Sequence, residues 1–348
     1  MRAAAMPEQD PAPRLLTDEQ ISEIIREDVL PPLARVSPQA TPRMVVLGGP
    51  QGSRKTTLRP VVAEQLGLGE DVVYFDGDDH NDFHPYYDQL AREHGAPEAA
   101  RLIRADNEVI RAAILHEVRT RRLSIMFVGP YTDQVYTLAR LAEFRGDGYR
   151  TEAAYTALHP ALSQLATMDR HLTALTDGPG YSFLVSRELL ERVITNVPVV
   201  MTRIEAEQAA DALHVVDAGG IAFSKQLGDE GEWIPNRPAA DVVEETRLRP
   251  WDQSVTADFL HRRDRAETAP AGEDPQLWAA RLARVDELAA PMVTRQPASG
   301  RPTMAQAARK RSTTTPARGA KKAAAPPPAQ RPPLHHAPGQ ESSSGRTR

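Results

Sequence analysis

The segment from Met44 to Leu58 constrains the fold of this chain more than any other part of its sequence. It joins a run of four apolar residues, Met44 to Leu47, to a glycine-rich turn and then to a helical pattern. A compact apolar run that ends in glycines is typical of a buried strand in a parallel sheet. A glycine-rich turn between such a strand and a helix lets backbone N–H groups curl around phosphates. We therefore expect a phosphate-binding loop here.

The turn matches the pattern G-x-x-x-x-G-K-[ST] at Gly49, Lys55 and Thr56. In such loops the lysine reaches the β- and γ-phosphates, and the following hydroxyl holds Mg²⁺. ATP or GTP with Mg²⁺ is therefore the expected ligand, and transfer of the γ-phosphoryl group is the expected chemistry. The predicted nucleotide-binding residues are Gly49, Pro50, Gln51, Gly52, Ser53, Arg54, Lys55, Thr56 and Thr57.

Arg54 stands where the pattern has its second glycine. Because this residue lies at the start of the predicted helix, we expect a negative φ here, which a side chain tolerates. The alternative interpretation is a chance glycine-rich turn after a strand. The apolar run before the turn and the helical pattern after it favour the phosphate loop.

A second chemical feature follows the predicted strand at 72–75, where Asp76 and Asp78 stand close together. In an open parallel sheet, ligands bind beyond the carboxyl ends of the strands. A carboxylate at this point would lie beside the phosphate loop and could take the proton of a hydroxyl acceptor. His84 would line the same cleft or end a turn. The alternative for the acidic cluster is a solvated turn that caps a helix.

Helical and strand patterns alternate along most of the chain, which indicates an α/β fold with a parallel sheet flanked by helices on both faces. Thr17 and Gln20 form a capping box that begins the first helix, and we expect Pro31 and Pro32 to end it. Residues 236–270 are too rich in charge and proline to assign. The predicted strands are 44–47, 72–75, 124–128, 150–158 and 214–217. The other predicted helices are 56–66, 97–121, 132–144, 160–176, 186–212 (interrupted near Pro198) and 275–288.

Composition divides the chain into four predicted regions. They are a disordered N-terminus at 1–14, a P-loop domain at 15–230, a partly helical extension at 231–295, and a disordered basic Ala/Pro-rich tail at 296–348. From Arg301 onward, 10 basic residues face one acidic residue, which gives +9, while 32 basic and 46 acidic residues in the rest give −14. An acidic body makes nucleic acid an improbable main ligand, and we interpret the tail as a solubilising or tethering segment.

The class of protein is narrowed further by what the sequence lacks. There are no cysteines, so disulfides, thiolate zinc sites and cysteine nucleophiles are excluded. No apolar run approaches the roughly 18 residues of a membrane span, and the N-terminus lacks the apolar stretch of a secretory signal. We therefore expect a cytoplasmic protein that does not enter a membrane.

Taken together, these motifs resemble those of the zeta toxin family of P-loop kinases, the toxins of toxin–antitoxin systems. The resemblance covers about residues 15 to 225. It is carried by the helix opening at Leu16 to Gln20, Ser37-Pro38, Val46 to Gly49, Gly52-Ser53 with Lys55-Thr56, Asp76-Gly77-Asp78 and His84-Pro85.

This resemblance implies a kinase that phosphorylates a hydroxyl of UDP-N-acetylglucosamine or another UDP-amino sugar. It assigns phosphate binding to Lys55, magnesium binding to Thr56, and the role of base to Asp78. Arg170 matches an arginine that grips the transferring phosphate, although it also fits a surface position on an amphipathic helix. Asp76 and His84 are assigned to the sugar-nucleotide site. The resemblance further implies a small helical antitoxin that blocks the nucleotide site.

The sequence also departs from the family pattern. Val128 stands where the family has a glutamate at the end of the third strand, and Phe183 stands where it has a second arginine. Arg187 follows four residues later and could replace that arginine. Two alternatives therefore stay open. One is a different small-molecule P-loop phosphotransferase, such as an antibiotic-modifying enzyme, and the other is a catalytically degenerate nucleotide-binding module.

Overall fold

A computed structural model of the protein describes residues 13–77, 79–182 and 184–293. Asp78, Phe183, the predicted disordered tail and nearly all of the predicted disordered N-terminus lie outside the described residues. The strands are β1 (Arg43–Gly48), β2 (Val73–Asp76), β3 (Ile125–Gly129), β4 (Arg150–Thr156), β5 (Ala212–Asp217), β6 (Gly220–Leu227) and β7 (Trp233–Ile234).

These strands form one sheet in the order β2-β3-β1-β4-β5-β6-β7. The first five run parallel, and β6 and β7 are antiparallel to their neighbours. The predicted class, an α/β fold with a mostly parallel sheet, is therefore confirmed. Because β1 lies between β3 and β4, the segment that follows β1 emerges at the middle of the sheet's carboxyl edge.

Helices connect the five parallel strands, and none in the described residues has the length and apolar character of a membrane span. A π-helical turn (Ile25–Val29) and a 3₁₀-helix (Asp79–Phe83) are also present. The α-helices are α1 (Asp18–Ile24), α2 (Leu30–Ala34), α3 (Lys55–Gln65), α4 (Tyr87–His94), α5 (Ala96–Leu102), α6 (Arg104–Arg121), α7 (Gln134–Gly146), α8 (Pro160–Thr176), α9 (Arg187–Ala206), α10 (Ala239–Arg247), α11 (Gln253–Arg265) and α12 (Pro275–Ala289).

The capping box at Thr17 is confirmed, because its hydroxyl accepts from the N–H of Gln20 and the Gln20 side chain accepts from the N–H of Thr17. The prediction that Pro31 and Pro32 end this first helix is wrong. Pro31 and Pro32 lie in the first turn of α2, directly after the π-helical turn, where the hydrogen-bond pattern is already shifted and the Leu30 N–H bonds to Ile25. The helical path therefore continues to Ala34.

Two long helices also differ from prediction. The pattern at 97–121 is divided between α5 and α6, because the buried Ile103 has a φ of −88° and a ψ of 1°, outside helical geometry. By contrast, α9 runs without a break through Pro198. Apolar spacing alone does not locate such a turn, since both segments keep the helical period.

Both faces of the sheet are covered, as the apolar run in β1 requires. Met44 and Val46 pack with α1, α6, α7 and α9 on one face, while Val45 and Leu47 pack with α3 on the other. A separate apolar cluster joins α8 to α11 and α12, and it contains two buried tryptophans, Trp251 and Trp278. Helix α8 therefore lies between the body of the sheet and helices from the segment predicted as an extension.

Candidate functional site

A cavity of about 350 Å³ opens at the carboxyl edge of the sheet, between the turn after β1, the ends of β2 and β3, and α8. Residues 51–57 of the predicted phosphate loop line it, whereas Gly49 and Pro50 lie deeper in the same turn. The structure also brings Asp76 and Arg170 to this cavity, from β2 and α8. Nine of the predicted site residues therefore meet at one place: residues 51–57, Asp76 and Arg170.

The loop has the backbone geometry for which glycine is needed. Gly52 has a φ of +75°, and a Cβ there would overlap the carbonyl oxygen of Ser163 in the first turn of α8. Gly49 has a φ of +144°, and a Cβ there would overlap the hydroxyl of Thr156. These two glycines let the loop lie directly against β4 and α8.

Arg54 also has a left-handed backbone, with a φ of 65° and a ψ of 20°, so the predicted negative φ is wrong. It is the N-cap residue of α3, and the chain must turn there before the helix begins. Only glycine adopts this conformation without strain; for another L-residue the cost is about 1 kcal/mol or more. Arg54 is exposed and lines the cavity.

Two side-chain hydrogen bonds, one from β4 and one from α8, hold the loop in place. Thr156 Oγ1 donates to Ser53 Oγ at 2.8 Å, and Ser163 Oγ donates to the carbonyl oxygen of Gln51 at 2.6 Å. Both Ser53 and Ser163 are buried. The loop is therefore fixed by the scaffold, which lowers the entropy lost when its amides bind a phosphate chain.

The amine of Lys55 lies over this loop, where its Nζ donates to the carbonyl oxygens of Gly49 and Pro50 at 2.9 and 2.8 Å. Asp76 lies 3.9 Å from Arg59, measured from Oδ2 to Nη1. The positive ends of the loop amides and of α3, together with Lys55, favour an anion in the cavity.

The oxygen atoms in the cavity suit a magnesium ion that is held mainly by phosphates. The Thr56 hydroxyl and the Asp76 carboxylate both line it, and hard oxygen donors are what Mg²⁺ prefers. Within the described residues, no group of three or more His, Asp or Glu side chains forms a metal cage. This donor set fits an ion that arrives with its nucleotide.

A second cavity of about 450 Å³ adjoins the first and shares Gln51, Gly77 and residues 128–130 with it. The rings of Tyr131 and Tyr136 stack on its wall, with centroids 6.0 Å apart and planes at 30°. Burial raises the pKa of the Tyr131 phenol, which therefore stays neutral. The remaining wall includes Arg111 from α6 and Leu189 and Val193 from α9.

Sequence reasoning missed most of this second cavity. Arg111, Tyr136 and Leu189 come from three helices that are far apart along the chain, and each fits the exposed face of an amphipathic helix. The one available signal was Tyr131, close behind the end of β3. Val128 lines both cavities and is buried, so no carboxylate projects from this strand end.

The other predicted residues lie elsewhere. His84 is buried against α6, with its Nε2 at 3.2 Å from Oδ2 of Asp106, and it lines neither cavity. Burial lowers the pKa of His84, against the opposing effect of Asp106. Arg187 pairs with Glu188 at 3.5 Å and also lines neither cavity. Asp78, the predicted base, lies outside the described residues; in the sequence it follows Gly77, which lines both cavities.

Comparison with known proteins gives a consistent family. The family described as Zeta toxin matches residues 31–226. The chain is 21% identical to toxin zeta of Streptococcus agalactiae over 187 residues, which cover 54% of this chain and 64% of that protein. It is 24% identical to toxin zeta of Streptococcus pyogenes over 212 residues, 61% of this chain and 72% of that protein. The chain thus spans less than two thirds of the first relative's length.

The fold has a relative among solved structures. A structure from the PezAT chromosomal toxin–antitoxin system of Streptococcus pneumoniae superposes with a TM-score of 0.58. The match has 16% sequence identity and covers 79% of this chain and 100% of that one. At this identity the likeness is one of fold, and it reaches beyond the residues that the family match covers.

Proposed function

This chain belongs to the zeta toxin family, and from that premise we propose that it is a kinase of the P-loop type. It transfers the γ-phosphoryl group of ATP or GTP to a hydroxyl group of a UDP-amino sugar such as UDP-N-acetylglucosamine. The observation that carries the proposal is the pair of adjoining cavities, which share Gln51, Gly77 and residues 128–130. A phosphate-binding cavity next to one with an aromatic wall provides a donor site and an acceptor site in contact.

In the donor site, the positively charged side chains of Lys55 and Arg170 stabilise the transferring phosphoryl group. Charge spreads over three equatorial oxygens during transfer, so positioned cations lower the barrier more than they tighten substrate binding. Thr56 would hold a magnesium ion that arrives with the nucleotide, and that ion would neutralise phosphate charge. Lys55 would exchange its carbonyl partners on Gly49 and Pro50 for phosphate oxygens.

The base in this proposal is Asp78, with Asp76 beside it. Asp78 accepts the proton of the sugar hydroxyl as its oxygen forms a bond to the γ-phosphorus, and the bond from that phosphorus to the bridging oxygen breaks. Phosphoryl transfer needs the attacking and leaving oxygens in line. The position of Gly77 in the walls of both cavities supports a base at the next residue.

The second cavity suits a uridine nucleotide. The stacked rings of Tyr131 and Tyr136 offer a face to a base, and Arg111 offers a guanidinium to a diphosphate. Arg111 already donates to the Gly77 carbonyl and to His80, at 3.2 Å in each case. These bonds orient it along the wall between the two cavities.

The proposal includes a partner and a location. A small helical antitoxin would block the nucleotide site. In the adjoining cavity Tyr136 is 51% exposed, and its neighbour in the sequence, Val135, is 72% exposed. Exposed apolar side chains around a cavity are suited to a protein partner.

Nucleotide substrates and a chain without cysteine agree with a cytoplasmic location.

The proposal is tested by incubating the protein with ATP, Mg²⁺ and UDP-N-acetylglucosamine and analysing the sugar nucleotide by mass spectrometry. The expected product carries one additional phosphoryl group. Asp78→Asn should abolish transfer and leave ATP binding intact, while unchanged turnover would exclude Asp78 as the base. ATP binding without transfer to any acceptor would support the degenerate module. Transfer confined to an antibiotic in a substrate panel would support the other phosphotransferase.

A further inference from the structure

Four residues other than glycine have a positive φ in the described part of the chain: Arg54, Tyr131, Arg122 and Gln208. The last three have side-chain contacts that hold them. Arg122 Nη2 donates to the carbonyl oxygen of Ala40 at 3.0 Å, Gln208 Nε2 donates to that of Gly231 at 2.8 Å, and the Tyr131 ring packs on its aromatic neighbours.

Arg54 differs from these three residues. Its side chain is exposed and makes no hydrogen bond, ion pair or ring contact with any described residue. The backbone strain at this position is therefore not offset by a local contact of the arginine. Strain that persists in a loop without local compensation is a recognised property of binding and catalytic sites. A glycine would be unstrained here, so the presence of an arginine at this position is not explained by the backbone conformation.

We propose that the Arg54 side chain is a phosphate-binding group, which adds a cation to the nucleotide cavity from within the loop itself. The residue lines that cavity together with Lys55 and, from α8, Arg170. These three cations face the carboxylate of Asp76, which leaves an excess of positive charge for a triphosphate with its metal. A guanidinium suits this role because its planar fork binds two phosphate oxygens at once and it stays charged at every physiological pH.

The position of the residue supports this role. It immediately precedes Lys55 and the first turn of α3, where backbone N–H groups and the helix dipole already favour an anion. A long side chain that starts at this point can reach the phosphates from the solvent side. The loop amides and Lys55 would contact them from the protein side.

This inference deepens the proposed function and rests on it, because it concerns the nucleotide of the same reaction. The test compares three variants, Arg54→Gly, Arg54→Lys and Arg122→Gly. The last is a matched control, since Arg122 has a φ of 55° but caps the far end of α6. The readouts are the melting temperature, the dissociation constants for ATP·Mg²⁺ and for tripolyphosphate, and the rate of phosphoryl transfer.

Arg54→Gly should melt about 2–4 °C higher than the wild type, because it removes backbone strain. Arg122→Gly removes similar strain but also loses the hydrogen bond to Ala40, so its melting temperature should rise less. Arg54→Gly should nevertheless bind ATP·Mg²⁺ and tripolyphosphate at least tenfold more weakly and transfer more slowly. Arg122→Gly should bind both ligands as the wild type does. Arg54→Lys, which keeps the charge but loses the fork, should fall between wild type and Arg54→Gly in affinity.

A rise in melting temperature with unchanged affinity and turnover in Arg54→Gly would overturn the inference and leave the proposed function intact. Equal losses of affinity in Arg54→Gly and Arg122→Gly would also overturn it, because the effect would then not be local to the cavity. A wild-type protein that binds no ATP would instead remove the proposed function, and this inference with it.

Discussion

Nη2 of Arg247, on α10, donates a 3.0 Å hydrogen bond to the carbonyl oxygen of Ile194, on α9. Ile194 stands four residues before Pro198, so its carbonyl is the one that loses its helical partner to the proline ring. Arg247 is buried, and its guanidinium supplies the missing donor. This contact explains why α9 continues through Pro198, where the sequence indicated an interruption.

Because Arg247 donates to the carbonyl that Pro198 cannot serve, the effects of Arg247→Ala and Pro198→Ala on stability should not be additive. Arg247→Ala should destabilise the protein by about 2–3 kcal/mol, because it leaves a buried carbonyl unsatisfied and removes packed atoms. In a Pro198→Ala background the same change should destabilise it by about 1 kcal/mol less, since the new N–H of residue 198 can bond to Ile194. Urea unfolding of the four proteins measures this coupling. Additive effects would show that Arg247 does not replace the missing N–H donor of Pro198.

The close contact between the loop and α8 predicts that Gly52→Ala abolishes nucleotide binding. The new methyl group would overlap the Ser163 carbonyl, so the loop must move away from α8. Gly67→Ala is the matched control: its φ is +71° and no atom lies within 4 Å of the added Cβ. It should cost about 1 kcal/mol of stability and leave ATP affinity unchanged. Calorimetric titration with ATP·Mg²⁺ distinguishes the two variants.

Trp278 connects the last helix of the described chain to the helix that carries Arg170. Its indole N–H donates to the carbonyl oxygen of Ala266 at 2.8 Å, and its ring lies 6.1 Å from that of His171 on α8. Trp278→Ala should destabilise the protein by about 3–5 kcal/mol and reduce phosphoryl transfer at temperatures below unfolding. The neighbouring Leu277 is 66% exposed, so Leu277→Ala should change stability by less than about 0.5 kcal/mol.

Acid should destabilise the protein partly through His159, the N-cap residue of α8. Burial, and then the charge of Arg247, lower the pKa of this imidazole to about 4. The folded state therefore keeps His159 neutral, while the unfolded chain takes up a proton below about pH 6.5. This contribution to stability is complete above pH 6.5 and is lost as the pH falls toward 4.

His159→Asn isolates that effect, because asparagine can still accept from the N–H of Ala161 as a helix cap. The variant should lose less stability between pH 6.5 and 4, by at most about 1.4 kcal/mol per pH unit. Chemical denaturation at several pH values measures the two slopes. Identical slopes would show that His159 does not carry this dependence.

The glycine-rich turn after β1, the first five strands and α8 could be predicted because their signals are local. Apolar runs of four or five residues, glycines at fixed offsets and a helix from 160 to 176 are all properties of adjacent residues. The backbone of Arg54 could not be predicted in this way, since the same residue at the start of a helix is compatible with either sign of φ. The turn after β1 determines it.

The second cavity could not be predicted from the sequence for a different reason. Arg111, Tyr136 and Leu189 become neighbours only through the packing of α6, α7 and α9. The two helices between 236 and 270 were missed because charge and proline mask their apolar faces. Phe259 and Val243 are nevertheless buried, each against a partner distant in sequence.

The contact between α8 and the last two helices has a consequence for how such genes can recombine. The family match ends at 226, yet the apolar face of α8 is covered by residues beyond 250. A crossover between the codons of Thr176 and Trp251 would join α8 of one parent to α11 and α12 of another. The two surfaces would then no longer be complementary. Residues 160–292 should therefore be inherited as one block, even though the family match ends within that block, at residue 226.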